Sequence, residues 1–152
     1  MVETRRATRD DIDTLYDLTK GIAKFHNQEK YVVTTKQEML NSGFTKKPKF
    51  GALIAELNSQ IAGYLSYTWN YSIWNGCEYM NLDDLFVLEK CRGHKVGLHL
   101  MRHARDICKE KNIALIRWEV ENHNTKAIEF YKSLGADLTE KGIFRWDLKK
   151  SG

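Results

Sequence analysis

One stretch in the middle of the chain constrains the fold most: an apolar strand candidate runs into a glycine-containing loop and an amphipathic helix. The strand candidate is CEYMNLDDLFVL, the loop is CRGHKV, and the helix candidate spans residues 96–112. Helical spacing places five small or apolar residues on one stripe: Gly97, Leu100, Met101, Ala104 and Cys108. A strand, a loop and a helix in this order predict a mixed α/β (α+β) fold.

The loop lies between the end of a strand and the start of a helix. At a helix N-terminus the backbone N–H groups have no intrahelical partner, and the helix dipole attracts anions. The loop therefore suits a phosphate group. Glycine is also common in turns that precede a helix and bind no ligand. The spacing alone therefore leaves two interpretations open, a phosphate-binding loop and an ordinary turn.

Hydrophobic periodicity divides the rest of the chain into further strands and helices. Thr8, followed three residues later by Asp11, predicts the cap of the first helix. Without a linker, repeat or low-complexity tract, residues 1–152 are expected to form a single domain. The predicted strands are 2–6, 51–57, 61–70, 77–88, 113–122 and 142–148, and the predicted helices are 7–25, 34–44, 96–112 and 125–135.

Composition limits the classes of partner. The 24 Lys and Arg residues against 20 Asp and Glu give a formal charge of +4, and the positive residues are spread along the chain. Nucleic-acid binding needs them concentrated, so we expect no nucleic-acid partner. The three cysteines show no C-x-x-C spacing, which indicates neither a disulfide framework nor a zinc site, and no apolar run reaches membrane-spanning length. We expect a cytoplasmic protein with no membrane partner.

Two motifs in the second half of the chain resemble a known family. Arg92, Lys95 and Gly97 follow the strand NLDDLFV, and Asn124-x-x-Ala127-Ile128-x-Phe130-Tyr131-x-x-x-Gly135 follows the next strand candidate. Together they resemble the GNAT family of N-acetyltransferases, whose signature at the acetyl-CoA pyrophosphate loop is Arg/Gln-x-x-Gly-x-Gly/Ala. Lys95 replaces the first glycine, so the match is incomplete. The resemblance implies a mixed, mostly antiparallel central sheet, splayed between strands 4 and 5 and flanked by about four helices.

Within that family the chain most resembles the diamine acetyltransferases that act on spermidine, spermine or thialysine. RRAT, LTKGIAKF, LDDLFV, CRG and IEFYKSLGA all have counterparts there. The resemblance implies an enzyme that transfers acetyl from acetyl-CoA directly to a primary amine of a small molecule, without a metal. The residues implied in cofactor binding are Leu85, Phe86, Val87, Arg92, Gly93, His94, Lys95, Val96, Gly97, Leu98, Asn124, Ala127 and Tyr131.

The resemblance also implies catalytic and substrate-binding residues. Tyr131 would protonate the departing coenzyme A sulfur. Asp83 falls where the diamine enzymes carry a glutamate proposed as general base, and its shorter side chain makes a bridging water more necessary. On a regular strand Asp84 points to the opposite face, so only one of the pair is expected to line the amine site. Substrate binding is expected from His26, Trp74, Asp83 and Asp84.

Alternatives remain at this stage. The acceptor amine could belong to an aminoglycoside or a peptide, or the chain could be a non-catalytic acyl-CoA-binding regulatory module. His99 and His103 have the i, i+4 spacing of a metal pair, but they share a polar face and lack a third ligand, so we expect no metal. A homodimer is expected, with the C-terminal strand and Trp146 as candidates for the interface.

Overall fold

The computed structural model describes residues 1–150. Met1–Trp118 forms one compact unit and the residues from Glu119 onward form a second. The elements of the first unit are β1 (Val2–Arg6), α1 (Ile12–Phe25), α2 (Lys36–Gly43), β2 (Gly51–Leu57), β3 (Gln60–Ser72), β4 (Cys77–Val87), α3 (Val96–Glu110) and β5 (Ile116–Arg117). The second unit contains α4 (Thr125–Ser133).

The five strands lie side by side in chain order. β1 to β4 are antiparallel neighbours, whereas β5 is parallel to β4. That parallel pairing joins only Met80 to Ile116 and Asn81 to Arg117. Among the described residues, β4 continues from Leu82 to Val87 without a β5 partner. The prediction of a mixed, mostly antiparallel sheet that splays between strands 4 and 5 is therefore confirmed.

A polar cluster closes the N-terminal end of α1. The backbone N–H of Thr8 donates to the Asp11 carboxylate at 2.7 Å, as the predicted capping pair requires. The guanidinium of Arg5 donates two hydrogen bonds to the same carboxylate, at 2.7 and 2.9 Å. These bonds hold the pKa of Asp11 below its ordinary value, because they favour the charged carboxylate.

Helices cover both faces of the sheet in the first unit. Leu15 and Leu18 of α1 pack with Met39 of α2 against Ile54 and other buried residues of one face. α3 packs against β1 to β4. Leu53 and Ile54 of β2 point to opposite faces of the sheet, as successive strand residues do. Both are 0% exposed, because helices cover both faces. β2 is thus buried on both sides and forms the centre of the core.

Two strand predictions are wrong in extent or in kind. β5 covers residues 116–117 rather than 113–122, and residues 142–148 form no strand. Phe144, Trp146 and Leu148 alternate as strand residues do, but all three are exposed. Alternation predicts a face for burial, whereas a strand also needs a neighbour for its backbone N–H and C=O groups.

Gly63 of β3 lies close to the backbone of β4, and adding a Cβ there tests how much the stability depends on this close approach. A Cβ at this position would lie 2.3 Å from the backbone oxygen of Phe86 and 3.1 Å from the Val87 Cα. We expect Gly63→Ala to lower the free energy of unfolding by about 2 kcal/mol or more, because the backbone must shift. Gly142→Ala is the control, since no atom lies within 4 Å of its added Cβ. Denaturant titration measures both, and equal midpoints for the two variants would contradict the prediction.

Candidate active site

A pocket of about 260 Å³ opens between the first two helices and the sheet. One wall is apolar, and the part formed by β3 and β4 carries hydroxyl and carboxylate groups. The lining residues are Leu15, Thr19, Met39, Phe50, Tyr64, Ser66, Asp83 and Asp84. An apolar wall facing two carboxylates suits a positively charged group on a short apolar chain.

A β-bulge places both carboxylates in this pocket. Ser66 of β3 pairs with Asp84 and the next residue, Tyr67, pairs with Leu82, so Asp83 is an extra residue in β4. An extra residue interrupts the alternation of side chains between the two faces of a strand. The expectation that only one of the two lines the amine site assumed a regular strand, and β4 is not regular at this point.

Two hydroxyl groups hold the Asp84 carboxylate. The Tyr64 hydroxyl donates to Oδ2 of Asp84 at 2.8 Å, and the Ser66 hydroxyl donates to the same oxygen at 3.3 Å. Tyr64 is only 1% exposed. Burial, followed by the negative charge of Asp84, raises the pKa of the Tyr64 phenol well above its ordinary value. Tyr64 thus stays neutral and remains a hydrogen-bond donor.

Asp83 has a different environment. Its side chain lies on the exposed bulge, and its Oδ1 accepts a hydrogen bond from the Asn81 amide at 2.9 Å. The two neighbouring carboxylates therefore differ in accessibility: Asp84 is held among hydroxyl groups, whereas Asp83 meets solvent. Sequence reasoning missed Tyr64 and Ser66, whose only signal was that they alternate on β3 toward the same face.

The glycine-containing loop turns sharply into α3. Lys95, the residue before the helix, has φ +63° and ψ +26°, in the left-handed region that favours glycine. The first helical hydrogen bond runs from the N–H of His99 to the carbonyl of Lys95 at 3.1 Å. The amides of Val96, Gly97 and Leu98 consequently lack an intrahelical acceptor, and the Lys95 side chain does not cap them.

Two basic side chains of the loop are engaged by the protein itself. Nε of Arg92 donates to the Val87 carbonyl at 3.3 Å, and its guanidinium lies 4.7 Å from the ring centroid of Phe25, the last residue of α1. Nδ1 of His94 lies 3.1 Å from the Arg92 carbonyl and 3.3 Å from that of Cys91. Arg92 therefore connects the loop to both β4 and α1.

These donors fit the phosphates of an acyl-CoA cofactor. The helix end supplies unpaired amides and the favourable end of its dipole, and Lys95 adds an exposed ammonium group. Gly93 leaves the approach open, since no atom lies within 4 Å of an added Cβ. Leu85, Phe86 and Val87 lie on the part of β4 beyond its pairing with β5. Donor chemistry of this kind is what a pyrophosphate requires.

The second motif forms α4. The Asn124 side chain accepts a hydrogen bond from the Ala127 N–H at 3.3 Å and thereby caps the helix. Tyr131 lies further along the helix and is half-buried. Burial raises the pKa of its phenol, so Tyr131 keeps its proton at neutral pH.

Two predicted substrate residues lie outside the pocket lining. His26 follows α1 and packs edge-to-face against Phe25, with ring centroids 5.2 Å apart. Trp74 lies in the turn between β3 and β4 and is 99% exposed. Their roles in substrate binding stay predictions. The family resemblance that implies them gives the positions of these residues in the sequence but not the positions of their side chains.

The histidines of α3 show no metal cluster. Nδ1 of His103 lies 2.8 Å from the Thr4 hydroxyl oxygen, which connects α3 to β1. Across residues 1–150, no three His, Cys, Asp or Glu side chains are grouped as metal ligands. In the same part of the chain, no helix combines the length and the apolar character needed to cross a membrane.

The solved structures with similar folds include several acetyltransferases. An integron cassette protein from the mobile metagenome of V. cholerae matches with a TM-score of 0.78 and 25% identity, covering 99% of this chain and 98% of its own. AAC(6')-Iy in complex with the bisubstrate analogue CoA-S-monomethyl-acetylneamine matches with a TM-score of 0.76 and 19% identity, covering 97% and 98% of the two chains. The second likeness concerns the fold alone.

Sequence comparisons agree with the fold. A thialysine N-epsilon-acetyltransferase from Mus musculus is 29% identical over 145 residues, which cover 90% of this chain and 85% of the relative. A spermidine/spermine N(1)-acetyltransferase-like protein 1 from Homo sapiens is 28% identical over 95% of this chain and 22% of its own length. The model of the acetyltransferase (GNAT) family matches residues 12–136. The chain belongs to the acetyltransferase (GNAT) family.

Proposed function

We propose that this acetyltransferase transfers the acetyl group of acetyl-CoA directly to a primary amine of a small, diamine-like or polyamine-like molecule. The observation that carries the proposal is the pocket that Asp83 and Asp84 line together with the apolar residues Leu15, Met39 and Phe50. Paired carboxylates attract ammonium groups, and an apolar wall accommodates methylene groups. The names of the thialysine and spermidine/spermine relatives support the same acceptor class.

The cofactor is proposed to bind along β4 and the loop that follows it. The backbone of Leu85, Phe86 and Val87 would hold the pantetheine arm as an added strand. The phosphates would lie against the loop and the first turn of α3. Asn124, Ala127 and Tyr131 of the second motif are also proposed to bind the cofactor. The loop residues proposed to bind phosphate are Arg92, Gly93, His94, Lys95, Val96, Gly97 and Leu98.

When bound, acetyl-CoA would supply an activated acyl group, with the carbon–nitrogen bond formed at the expense of the carbon–sulfur bond. An N–H of residues 85–87 would polarise the acetyl carbonyl. Asp83, which is accessible to solvent, would take the amine proton, directly or through a water molecule. Tyr131 would donate its proton to the departing sulfur, and its raised pKa keeps that proton available before transfer. His26 and Trp74 remain candidate contacts to the acceptor amine.

We also propose a domain organisation, an oligomeric state and a cellular compartment for the enzyme. A single catalytic domain is supported by the family match, which extends from residue 12 to residue 136 and includes both motifs. A homodimer is supported by the exposed apolar side chains of Phe144, Trp146 and Leu148. Sedimentation velocity measures the oligomeric state, and a monomer at micromolar concentration would contradict the dimer.

The cellular compartment is proposed to be the cytoplasm. Free thiols at Cys77, Cys91 and Cys108 are in keeping with its reducing conditions.

The proposed activity is tested by the rate of free coenzyme A release from acetyl-CoA. The acceptors are diamines, polyamines, lysine analogues, an aminoglycoside and short peptides, and a blank contains no acceptor. We expect compact diamines to give the fastest release above the blank. Faster release with the aminoglycoside or the peptides would assign another acceptor class. A flat panel from protein that binds acetyl-CoA would favour a non-catalytic acyl-CoA-binding module.

Tyr131→Phe tests the general acid. Removing the hydroxyl should lower kcat by about a hundredfold, which is a typical contribution of general acid catalysis, and change the acetyl-CoA dissociation constant by less than about threefold. Tyr71→Phe is the control, because Tyr71 is an exposed tyrosine of β3. Steady-state rates and binding calorimetry give the two quantities. An equal loss of kcat and affinity would remove Tyr131 from the acid role.

Two variants of Lys95, Lys95→Gly and Lys95→Ala, separate the contributions of backbone conformation and of the lysine charge to acetyl-CoA binding. Glycine adopts φ +63° without the Cβ penalty, whereas alanine keeps the Cβ and also removes the ammonium group. If backbone amides hold the phosphates, Lys95→Gly should bind acetyl-CoA as well as or better than the parent chain, and Lys95→Ala slightly less well. Binding calorimetry measures both. A loss of tenfold or more in both variants would show that the lysine charge carries the binding.

A further inference from the structure

The acidic side of the pocket contains two residues of β3 to which the proposed reaction assigns no role. Tyr64 and Ser66 lie two residues apart on β3, and both donate to Oδ2 of Asp84, at 2.8 and 3.3 Å. All three side chains line the pocket. Among residues 1–150, the other oxygen of Asp84 accepts no hydrogen bond. Asp84 is therefore oriented by two donors on one oxygen and retains acceptor capacity on the other.

Burial makes this arrangement rigid. The Tyr64 ring is 1% exposed and packs in the core with Leu15, Leu18 and Ile54. Ser66 is the direct ladder partner of Asp84, so strand pairing holds the two residues side by side, within reach of the hydroxyl–carboxylate hydrogen bond. The two donors fix the orientation of the Asp84 carboxylate inside the pocket. Asp84 is thus positioned to hold a positive charge, whereas Asp83 lies on the exposed bulge.

We propose that Tyr64 and Ser66 are positioning residues that hold Asp84 as the counter-charge for the second, non-reacting ammonium group of a diamine. The inference rests on the proposed function. Leu15, Met39 and Phe50 face the methylene groups between the two nitrogen atoms. The enzyme consequently selects a dication over a monoamine of the same length, and the hydroxyl groups of β3 set that selectivity.

The test compares 1,4-diaminobutane with butylamine, which has the same carbon chain and lacks the second ammonium group. In the parent enzyme kcat/KM should favour the diamine by tenfold or more. Tyr64→Phe keeps the ring in the core and removes one donor to Asp84. We expect it to raise KM for the diamine about fivefold, the size typical of the net contribution of one hydrogen bond, with KM for butylamine and both kcat values within about twofold.

Further variants separate this role from a general effect on folding. Ser66→Ala should act in the same direction as Tyr64→Phe, and Asp84→Asn should abolish the preference for the diamine. Tyr67→Phe is the matched control, because Tyr67 is a buried tyrosine of the same strand that does not line the pocket. The selectivity of this control should equal that of the parent. Thermal unfolding of each variant shows whether the fold is retained.

The outcomes decide between this role and a structural one. If Tyr64→Phe changes the kinetics of both amines equally, or if the parent prefers neither amine, the positioning role is wrong. Calorimetric titration with each amine in the presence of coenzyme A measures the same preference without turnover. If no amine accelerates thiol release, the proposed function fails, and calorimetry still decides whether Asp84 holds a second ammonium group. Equal binding of the two amines would then overturn the inference.

Discussion

The extra residue in β4 is the constraint on which the candidate acceptor site depends. In an unbroken ladder between β3 and β4, neighbouring side chains alternate between the pocket and the opposite face of the sheet. The bulge opposite Ser66 and Tyr67 interrupts that alternation and brings Asp83 and Asp84 to one pocket. One backbone irregularity thus creates a pair of carboxylates with different surroundings, one held by hydroxyl groups and one open to water.

The same strand ends at the candidate phosphate loop. β4 ends at Val87, whose carbonyl accepts a hydrogen bond from Nε of Arg92. Lys95 then takes the left-handed conformation from which α3 begins. A non-glycine residue there costs about 1–2 kcal/mol, which the packing of α3 against the sheet must offset. The strand therefore carries the two carboxylates of the pocket, while its end fixes the direction of the loop.

Periodic patterns predicted the part of the fold that depends on burial. α3 buries Leu100, Met101, Ala104 and Cys108 as its spacing indicates, and the capping pair at Thr8 is present. Patterns failed where the decisive partner lies elsewhere in the chain. Residues 142–148 alternate without forming a strand, because alternation does not supply a neighbouring backbone. The hydrogen bond of Tyr64 to Asp84 joins residues 20 positions apart, so only the strand register reveals it.

The stacking of Arg92 on Phe25 has a consequence for the evolution of acceptor range. α1 contributes Leu15 and Thr19 to the proposed acceptor pocket, and the ring of its last residue, Phe25, lies under the guanidinium of Arg92 in the candidate phosphate loop. A chain that remodels this helix also moves that ring. Under the proposed function, changes of acceptor are therefore coupled to the affinity for the acetyl donor, and the less constrained route to a new substrate runs through Met39 and Phe50, which lie outside α1.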